Sequence, residues 1–486
     1  MPVRVAELMA VVASAGDFAK GYAEEQALRT CRIGMWLADR AELSTEDRQA
    51  VFYLSLLRFV GCTATASEMA AALGDEIAVS AAFAAVDPRN LRSVIGTAAG
   101  LVGGSGPRRA LGVARFLRAA PAVIREHEVT SCEVARLFAE RIGLPDGVRA
   151  GLGQVFERYD GHGHPGLVAG PSIALPVRVE QLANAIELNV DLAGWAGSLL
   201  DPSLVRLARS AGPAPNGDLD VEAVLAAEPE PWLTYDDDGL DRALAALADV
   251  VDLKSVWLRG HSRGVAALAA LAASSPADAR LLRRAGWLHD LGRLAVSSSV
   301  WDKPGTLSLA QWEQVRLHPY VTDRVLRRCG ELAEIAAVAG AHHERADGSG
   351  YHRGTVPDRL GALLAAADVY TALGEDRPHR PAVPVAERAA VLRAERLPPW
   401  AVDAVLASTT TARLGAAPAV PALTEREREV LALVARGATN RAAATALGIS
   451  AKTVNAHLEH IFAKLGVSTR GAAVFAALSA GLVDAP

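Results

Sequence analysis

Apolar residues recur along most of this chain at three- and four-residue intervals, broken only by short Gly, Pro and Ser stretches such as Gly103-Gly104-Ser105-Gly106-Pro107. That period puts apolar side chains on one face of a helix. Strict alternation over β-branched runs is hard to find, while alanine, leucine and valine dominate and aromatics are 5%. The expectation is an all-α protein. Amphipathic helices run from Val5 to about Ser210, and the pattern resumes near Asp238-Gly239-Leu240 and runs through Ala248.

Breaks in the pattern divide the chain. At 486 residues it is long enough for about three domains. Pro, Gly and acidic residues from Ala211 to Pro231 read as a linker, and Ala416-Ala417-Pro418-Ala419-Val420-Pro421 as a second one. The expected division is a helical domain over 1–210, a linker over 211–235, a second helical domain over 236–410, a linker over 411–421 and a small domain over 422–486.

Matching segments appear on both sides of the first break. Glu157-Arg158-Tyr159-Asp160-Gly161-His162-Gly163 parallels Glu344-Arg345-Ala346-Asp347-Gly348-Ser349-Gly350 at an offset of 187. Leu54–Gly61 parallels Ala285–Gly292, and Leu175-Pro176-Val177-Arg178 parallels Val356-Pro357-Asp358-Arg359. We therefore expect a tandem duplication of one helical domain.

Composition excludes several classes. The formal net charge is −5, with 50 basic and 55 acidic residues, so any contact with nucleic acid must be local. No apolar run reaches the roughly 18 to 20 residues that span a bilayer, and the N-terminus lacks a signal-peptide pattern, which predicts a cytoplasmic protein without a membrane partner. Cys31, Cys62, Cys132 and Cys329 form no Cys-x-x-Cys pair and are expected as reduced, buried side chains.

Histidine is where chemistry concentrates. Seven of the twelve (His261, His289, His318, His342, His343, His352 and His379) fall in the second helical domain. Imidazole with carboxylate suits Zn, Mn or Fe. Adjacent His289 and Asp290 sit about 100° apart on a helix and can line a groove together. Asp290 could bridge two metals, with His261, His318, His342, His343 and Asp368 completing two coordination spheres. In the first copy the registers put Arg58 and Phe59 at His289 and Asp290, Thr30 at His261, and Val155-Phe156 at His342-His343. A metal site would be gone there.

The second domain resembles the HD-GYP subclass of HD phosphohydrolases through Arg259-Gly260-His261-Ser262, His289-Asp290-Leu291-Gly292-Arg293 and His318-Pro319. The likeness continues in His342-His343-Glu344-Arg345-x-Asp347-Gly348-Ser349-Gly350-Tyr351, Ala367-Asp368-Val369-Tyr370 and Arg377-Pro378-His379-Arg380. It covers roughly Asp236 to Ser408. It implies an all-helical domain with two divalent metal ions that hydrolyses a cyclic dinucleotide, cyclic di-GMP first among them. Carried over, His261, His289, Asp290, His318, His342, His343 and Asp368 would be the ligands, Asp290 and Arg293 would serve catalysis, and Arg345, Arg377 and Arg380 would hold phosphate. Three departures stand out. Arg293 replaces the lysine usual after the His-Asp pair, Gly350-Tyr351-His352 replaces Gly-Tyr-Pro, and Trp257 stands where some members carry an extra glutamate ligand, so a third metal is not expected.

The C-terminal stretch has its own signals. Thr424 and Glu427 have capping-box spacing, and helices are expected over Asn440 to Leu447 and Ala451 to Leu465, joined by Gly448-Ile449-Ser450 with Ser450 as a cap. Such a pair is a helix-turn-helix. The run from Leu423 to Val483 resembles the LuxR-type DNA-binding domain through Leu-Thr-x-Arg-Glu-x-Glu-Val-Leu, Gly437-x-x-Asn440, Lys452-Thr453-Val454-x-x-His457 and Lys464-Leu465-Gly466-Val467. Lys452, Thr453 and Asn455 are the candidates for DNA contact. From Pro421 onward seven basic residues face five acidic ones, a modest surplus for phosphate binding.

These features together predict a homodimeric transcription regulator whose metal domain senses or hydrolyses a cyclic dinucleotide or related nucleotide. A phosphodiesterase with an accessory DNA-binding tail, and a regulator with a structural metal site, are the alternatives.

Overall fold

The computed structural model describes residues 2–409 and 423–481, and over them the chain is helical apart from one two-residue ribbon. It divides into two compact units, Met1–Asp237 and Asp238–Pro486. The expected linker at 411–421, with residue 422 and residues 482–486, lies outside the described residues.

In the first unit, helices Gln26–Arg40, Thr45–Leu57 and Leu175–Glu187 pack together, and the 36-residue helix Gly106–Arg141 packs on the turn Val60–Thr65 and on the helices Ala66–Leu73 and Asp146–Leu152. Ser44 caps the second of these by accepting from the Asp47 N–H. Their apolar faces, with Leu28, Phe52, Leu54, Leu57 and Phe138, form the core. Thr45–Leu73 is long and apolar enough by composition to cross a bilayer, which the sequence was expected not to offer, but 89% of its most apolar window is buried in this core.

Residues 211–235 are not an extended connector. They carry the helix Val221–Ala226, whose Val224 and Leu225 are buried, and strand Thr234–Tyr235, which pairs antiparallel with Val3–Arg4. Buried Glu228 accepts from Arg4 Nε at 2.8 Å and from the Tyr53 hydroxyl. Apolar anchors and a paired carboxylate fix this stretch to the first unit despite its Pro- and Gly-rich composition.

In the second unit, helices His261–Leu271 and Pro276–Leu288 form an antiparallel pair, crossed by Arg359–Leu373. After the short helices Val385–Ala394 and Pro399–Ser408 come Glu425–Ala435, Asn440–Leu447, Ala451–Leu465 and Arg470–Ser479. All four cysteines are buried, and none forms a disulfide.

The matching segments of the two units make parallel close contacts. A Cβ on Gly292 would collide with the backbone of His318, and a Cβ on Gly61 with the backbone of Ser131. A Cβ on Gly350 would strike the backbone at Glu344, and one on Gly163 the backbone at Glu157. Glu344 accepts from the N–H groups of Arg353 at 2.6 Å and Thr355 at 3.0 Å. Glu157 accepts from those of Gly166 at 3.0 Å and Leu167 at 2.7 Å. The repeated Glu-Arg-x-Asp-Gly-x-Gly segment is thus a loop stapled by its own buried glutamate. Ser131 stands in the first unit where His318 stands in the second.

Candidate metal centre

Helix ends deliver the site. His289 and Asp290 follow the helix Pro276–Leu288 where it tightens into the turn Leu291–Ala295, and His318 opens the helix His318–Leu326. Thr322 ties the two together, its hydroxyl donating to the His289 carbonyl at 3.0 Å and accepting from the Gly292 N–H at 2.8 Å. His261 opens its own helix, His342 and His343 follow Ala333–Ala339, and Asp368 lies inside Arg359–Leu373.

Three imidazoles are oriented by one device. Nδ1 of His289, His318 and His342 lies 2.8, 2.6 and 2.6 Å from the carbonyl three residues earlier, at Gly286, Val315 and Ala339. A carbonyl only accepts, so each Nδ1 carries the proton and each Nε2 presents its lone pair. His318 Nε2 and His342 Nε2 face each other at 3.1 Å.

Asp290 stands between two groups. Its Oδ2 lies 3.1 Å from His289 Nε2 and 3.5 Å from His261 Nε2, while its Oδ1 lies 3.5 Å from His318 Nε2 and 3.6 Å from His342 Nε2. Asp368 Oδ1 approaches His261 Nε2 at 3.2 Å and His289 Nε2 at 3.8 Å. Donor atoms of His318, His342 and His343, and likewise of His261, His289 and Asp368, all lie within 4.8 Å of one another. His343 stacks on Tyr351 with ring centroids 4.6 Å apart.

The electrostatics call for a cation. Burial pushes His318 down to about 4 and His342 and His343 well below the usual imidazole range, so these rings stay neutral. Burial opposes the Asp290 carboxylate, but Arg293, His289 and His261 outweigh it and hold its pKa well below the usual range. Asp368 is likewise lowered, against burial, by His261 and His289. Buried His261 Nε2, His289 Nε2 and Asp290 Oδ2 make no well-aligned hydrogen bond, and Asp290 Oδ1 meets Arg293 as an ion pair only. Unpartnered lone pairs in a dry site are costly, and nitrogen and oxygen donors converging in this way fit divalent transition metals.

A second layer supports the first. His261 Nδ1 lies 3.1 Å from Glu375, which pairs with Arg377, and burial against His261 is offset by Glu375 and Asp368 so that His261 rises to about 10. Arg377 also donates to the Trp257 carbonyl at 3.0 Å. Arg293 Nε reaches Asp290 Oδ1 at 2.8 Å, and its guanidinium lies 4.9 Å over the Trp301 ring. Glu375 and Trp301 were missed from sequence because neither belongs to a periodic or repeated pattern.

The other expected residues have protein partners. Arg345 donates to the carbonyl of Glu344 at 3.0 Å, and Arg380 to those of Ala372 at 2.6 Å and Pro381 at 3.2 Å. His352 sits at φ 38°, a conformation unusual for a residue with a Cβ, with its ring 5.5 Å from Tyr320. His379 is pushed down by burial and the neighbouring Arg380 and Arg377.

The first unit replaces this cluster with a guanidinium. Arg58, at the position of His289, pairs with fully buried Glu180 and lies 5.6 Å from the Phe59 ring centre and 5.3 Å from that of Phe156. The positive charge is supplied by the chain itself.

In the C-terminal domain, Thr424 and Glu427 form the capping box, and Ser450 caps Ala451–Leu465 by accepting from the Thr453 N–H at 3.0 Å. Val454, Leu458 and Ile461 are buried, whereas Lys452, Thr453 and Asn455 are exposed. Asn455 Oδ1 accepts from the Asn440 side-chain amide, and Arg470 donates to Asn440 Oδ1 at 3.0 Å, which ties the two helices together.

Known proteins match both parts. Residues 245–401 match the HD domain family, and residues 421–477 match the bacterial regulatory proteins of the luxR family. A 3'3'-cGAMP-specific phosphodiesterase of Vibrio cholerae is 29% identical over 415 residues, 80% of this chain and 90% of that protein. The crystal structure of a cyclic GMP-AMP-specific phosphodiesterase of V. cholerae is similar with a TM-score of 0.57 and 26% identity, over 84% of this chain and 98% of that one. A cyclic di-GMP phosphodiesterase of Pseudomonas aeruginosa is 37% identical over 145 residues, 28% of this chain and 35% of its own length.

Proposed function

We propose that this chain, whose residues 245–401 match the HD domain family and whose residues 421–477 match the luxR family, is an HD-GYP-type phosphohydrolase fused to a LuxR-type DNA-binding domain, a DNA-binding transcription regulator that hydrolyses a cyclic dinucleotide at a two-metal centre. The observation that carries the proposal is the pair of neutral imidazoles, His318 and His342, whose Nε2 atoms meet at 3.1 Å beside Asp290. His318, His342 and His343 would hold one ion, His261, His289 and Asp368 the other, and Asp290 both. Iron, manganese and zinc all suit this donor set. Such ions, when bound, lower the pKa of a water and polarise a phosphoryl oxygen.

The chain's own residues do the rest. The three backbone carbonyls hold the Nδ1 protons on His289, His318 and His342 and so turn Nε2 of each ring toward the site as the atom that can ligate. Arg293, whose guanidinium lies over Trp301, keeps a positive charge at Asp290, and its remaining N–H donors would be available to a phosphoryl oxygen. Tyr351 stacks on His343 and holds its ring in place. A phosphate role for Arg345, Arg377 and Arg380 requires each to exchange carbonyl partners for phosphate oxygens.

The substrate class is a cyclic dinucleotide. The resemblance to the HD-GYP subclass implies cyclic di-GMP first, and the V. cholerae relative that matches across both units is named for 3'3'-cGAMP, so both are substrates to test. DNA would be read by Lys452, Thr453 and Asn455 in a homodimer. A second reading, sensing without turnover, draws on the replacement of lysine by Arg293, whose guanidinium presses on Asp290 Oδ1.

The experiment is metal analysis of the purified chain and incubation with each dinucleotide beside Asp290→Ala. Linear or mononucleotide product from the wild type alone supports hydrolysis. Bound metal with no product from either substrate leaves only the sensing reading.

A further inference from the structure

Residues 88–125 contain seven arginines (Arg89, Arg92, Arg108, Arg109, Arg115, Arg118 and Arg125) and no Asp, Glu or Lys, in a chain whose net charge is −5. They form the helix Leu91–Leu101 and the first half of Gly106–Arg141. On the long helix Arg108, Arg115, Arg118 and Arg125 fall within an arc of about 100° and span about 25 Å of its axis. All four are exposed, and none pairs with a carboxylate among the described residues. The opposite face, with Phe116 and Ala120, is buried against Leu73, Val79 and Ala98.

We infer that this arginine stripe is a second DNA-contacting surface, one that grips the phosphate backbone without reading sequence. The inference rests on the DNA-binding role proposed above. A row of unpaired guanidiniums on a rigid helix is complementary to a regular line of phosphates. The helix-turn-helix domain has a surplus of only two positive charges, so most of the non-specific attraction would come from the stripe. Anionic membrane fits less well. The helix uses its bulky apolar face for the protein core, and Leu111 is the one large apolar residue between the arginines of the stripe.

The test uses the full chain and a random-sequence duplex, followed by fluorescence anisotropy over a series of salt concentrations. In the variant R108Q/R115Q/R118Q/R125Q, affinity at low salt should fall at least tenfold. The slope of log affinity against log salt should shrink by about 3.6, at roughly 0.9 for each of the four lost phosphate contacts. Asn455→Ala should keep that slope and lose preference for a selected operator over the random duplex. An unchanged slope in the quadruple variant, with preference still lost in Asn455→Ala, overturns the stripe and leaves the helix-turn-helix reading intact. A reduced slope in the quadruple variant with no effect of Asn455→Ala does the opposite. Binding to phosphatidylglycerol vesicles in place of the duplex also overturns the proposal.

Discussion

His318 Nε2 and His342 Nε2 lie 3.1 Å apart with neither able to donate to the other, because each ring has given its proton to a backbone carbonyl. Two lone pairs at that distance repel unless a cation lies between or beside them. The backbone of two separate elements enforces the approach, so the unfavourable geometry is built into the fold.

Gly292 is the residue that permits it. A methyl group there would collide with the His318 carbonyl, so Gly292→Ala should push the helix His318–Leu326 outward without altering any donor. We expect metal content and turnover to fall by more than tenfold while overall helicity, followed by circular dichroism, changes little.

Glu375 should act through His261. Its carboxylate touches His261 Nδ1 and is anchored by Arg377. Outer partners of this kind are worth about 10- to 100-fold in metal affinity. Glu375→Gln should therefore weaken retention of one ion, seen as a biphasic loss during chelator titration, where the wild type loses both together.

The first unit gives a prediction of opposite kind. Arg58 is 12% exposed and Glu180 is fully buried, so Arg58→Ala would strand a carboxylate at a cost of about 3 to 5 kcal/mol. Burial already raises the Glu180 carboxyl, with Arg58 opposing that shift. A folded carboxyl raised further binds more protons than the unfolded one, so the loss should be larger at pH 8 than at pH 5. Denaturant midpoints at the two pH values check this, and Arg58→Met with Glu180→Leu should recover most of the stability.

In the C-terminal domain, Lys464 donates to Glu427 at 2.6 Å and holds its carboxyl down to about 2, with the Thr424 N–H assisting. A depressed carboxyl contributes stability that is present above its ordinary value near 4.5 and is lost as pH falls toward 2. Hydrogen exchange along Ala451–Leu465 should differ between wild type and Glu427→Gln above that window, and the difference should vanish at its acid end.

The sequence made some of this legible and left the rest hidden, for physical reasons. His289-Asp290, His318 and His342-His343 stood out because histidine is scarce in an Ala-rich helical chain and its clustering has no packing explanation. The helix-turn-helix boundaries could be read because caps and αL glycines mark them locally, with Gly448 at φ 65° and Ser450 beside it. The repeated loop was legible as a match, but its purpose was not. Only the structure gives Glu344 and Glu157 their role as staples. Residues 211–235 looked like a linker because composition reports local stiffness and says nothing of the distant Arg4 and Tyr53 that hold Glu228. Glu375 stayed hidden for the same reason, since its partner His261 is 114 residues away.

The central claim, a metal centre that turns over a cyclic dinucleotide, is most directly tested through Asp290. Metal content and product formation should be measured on wild type and Asp290→Ala, with cyclic di-GMP and 3'3'-cGAMP as substrates. We predict two divalent ions per chain and product in the wild type, with both lost in the variant. A wild type that holds no metal, or an Asp290→Ala chain that hydrolyses either substrate at the wild-type rate, would contradict the account.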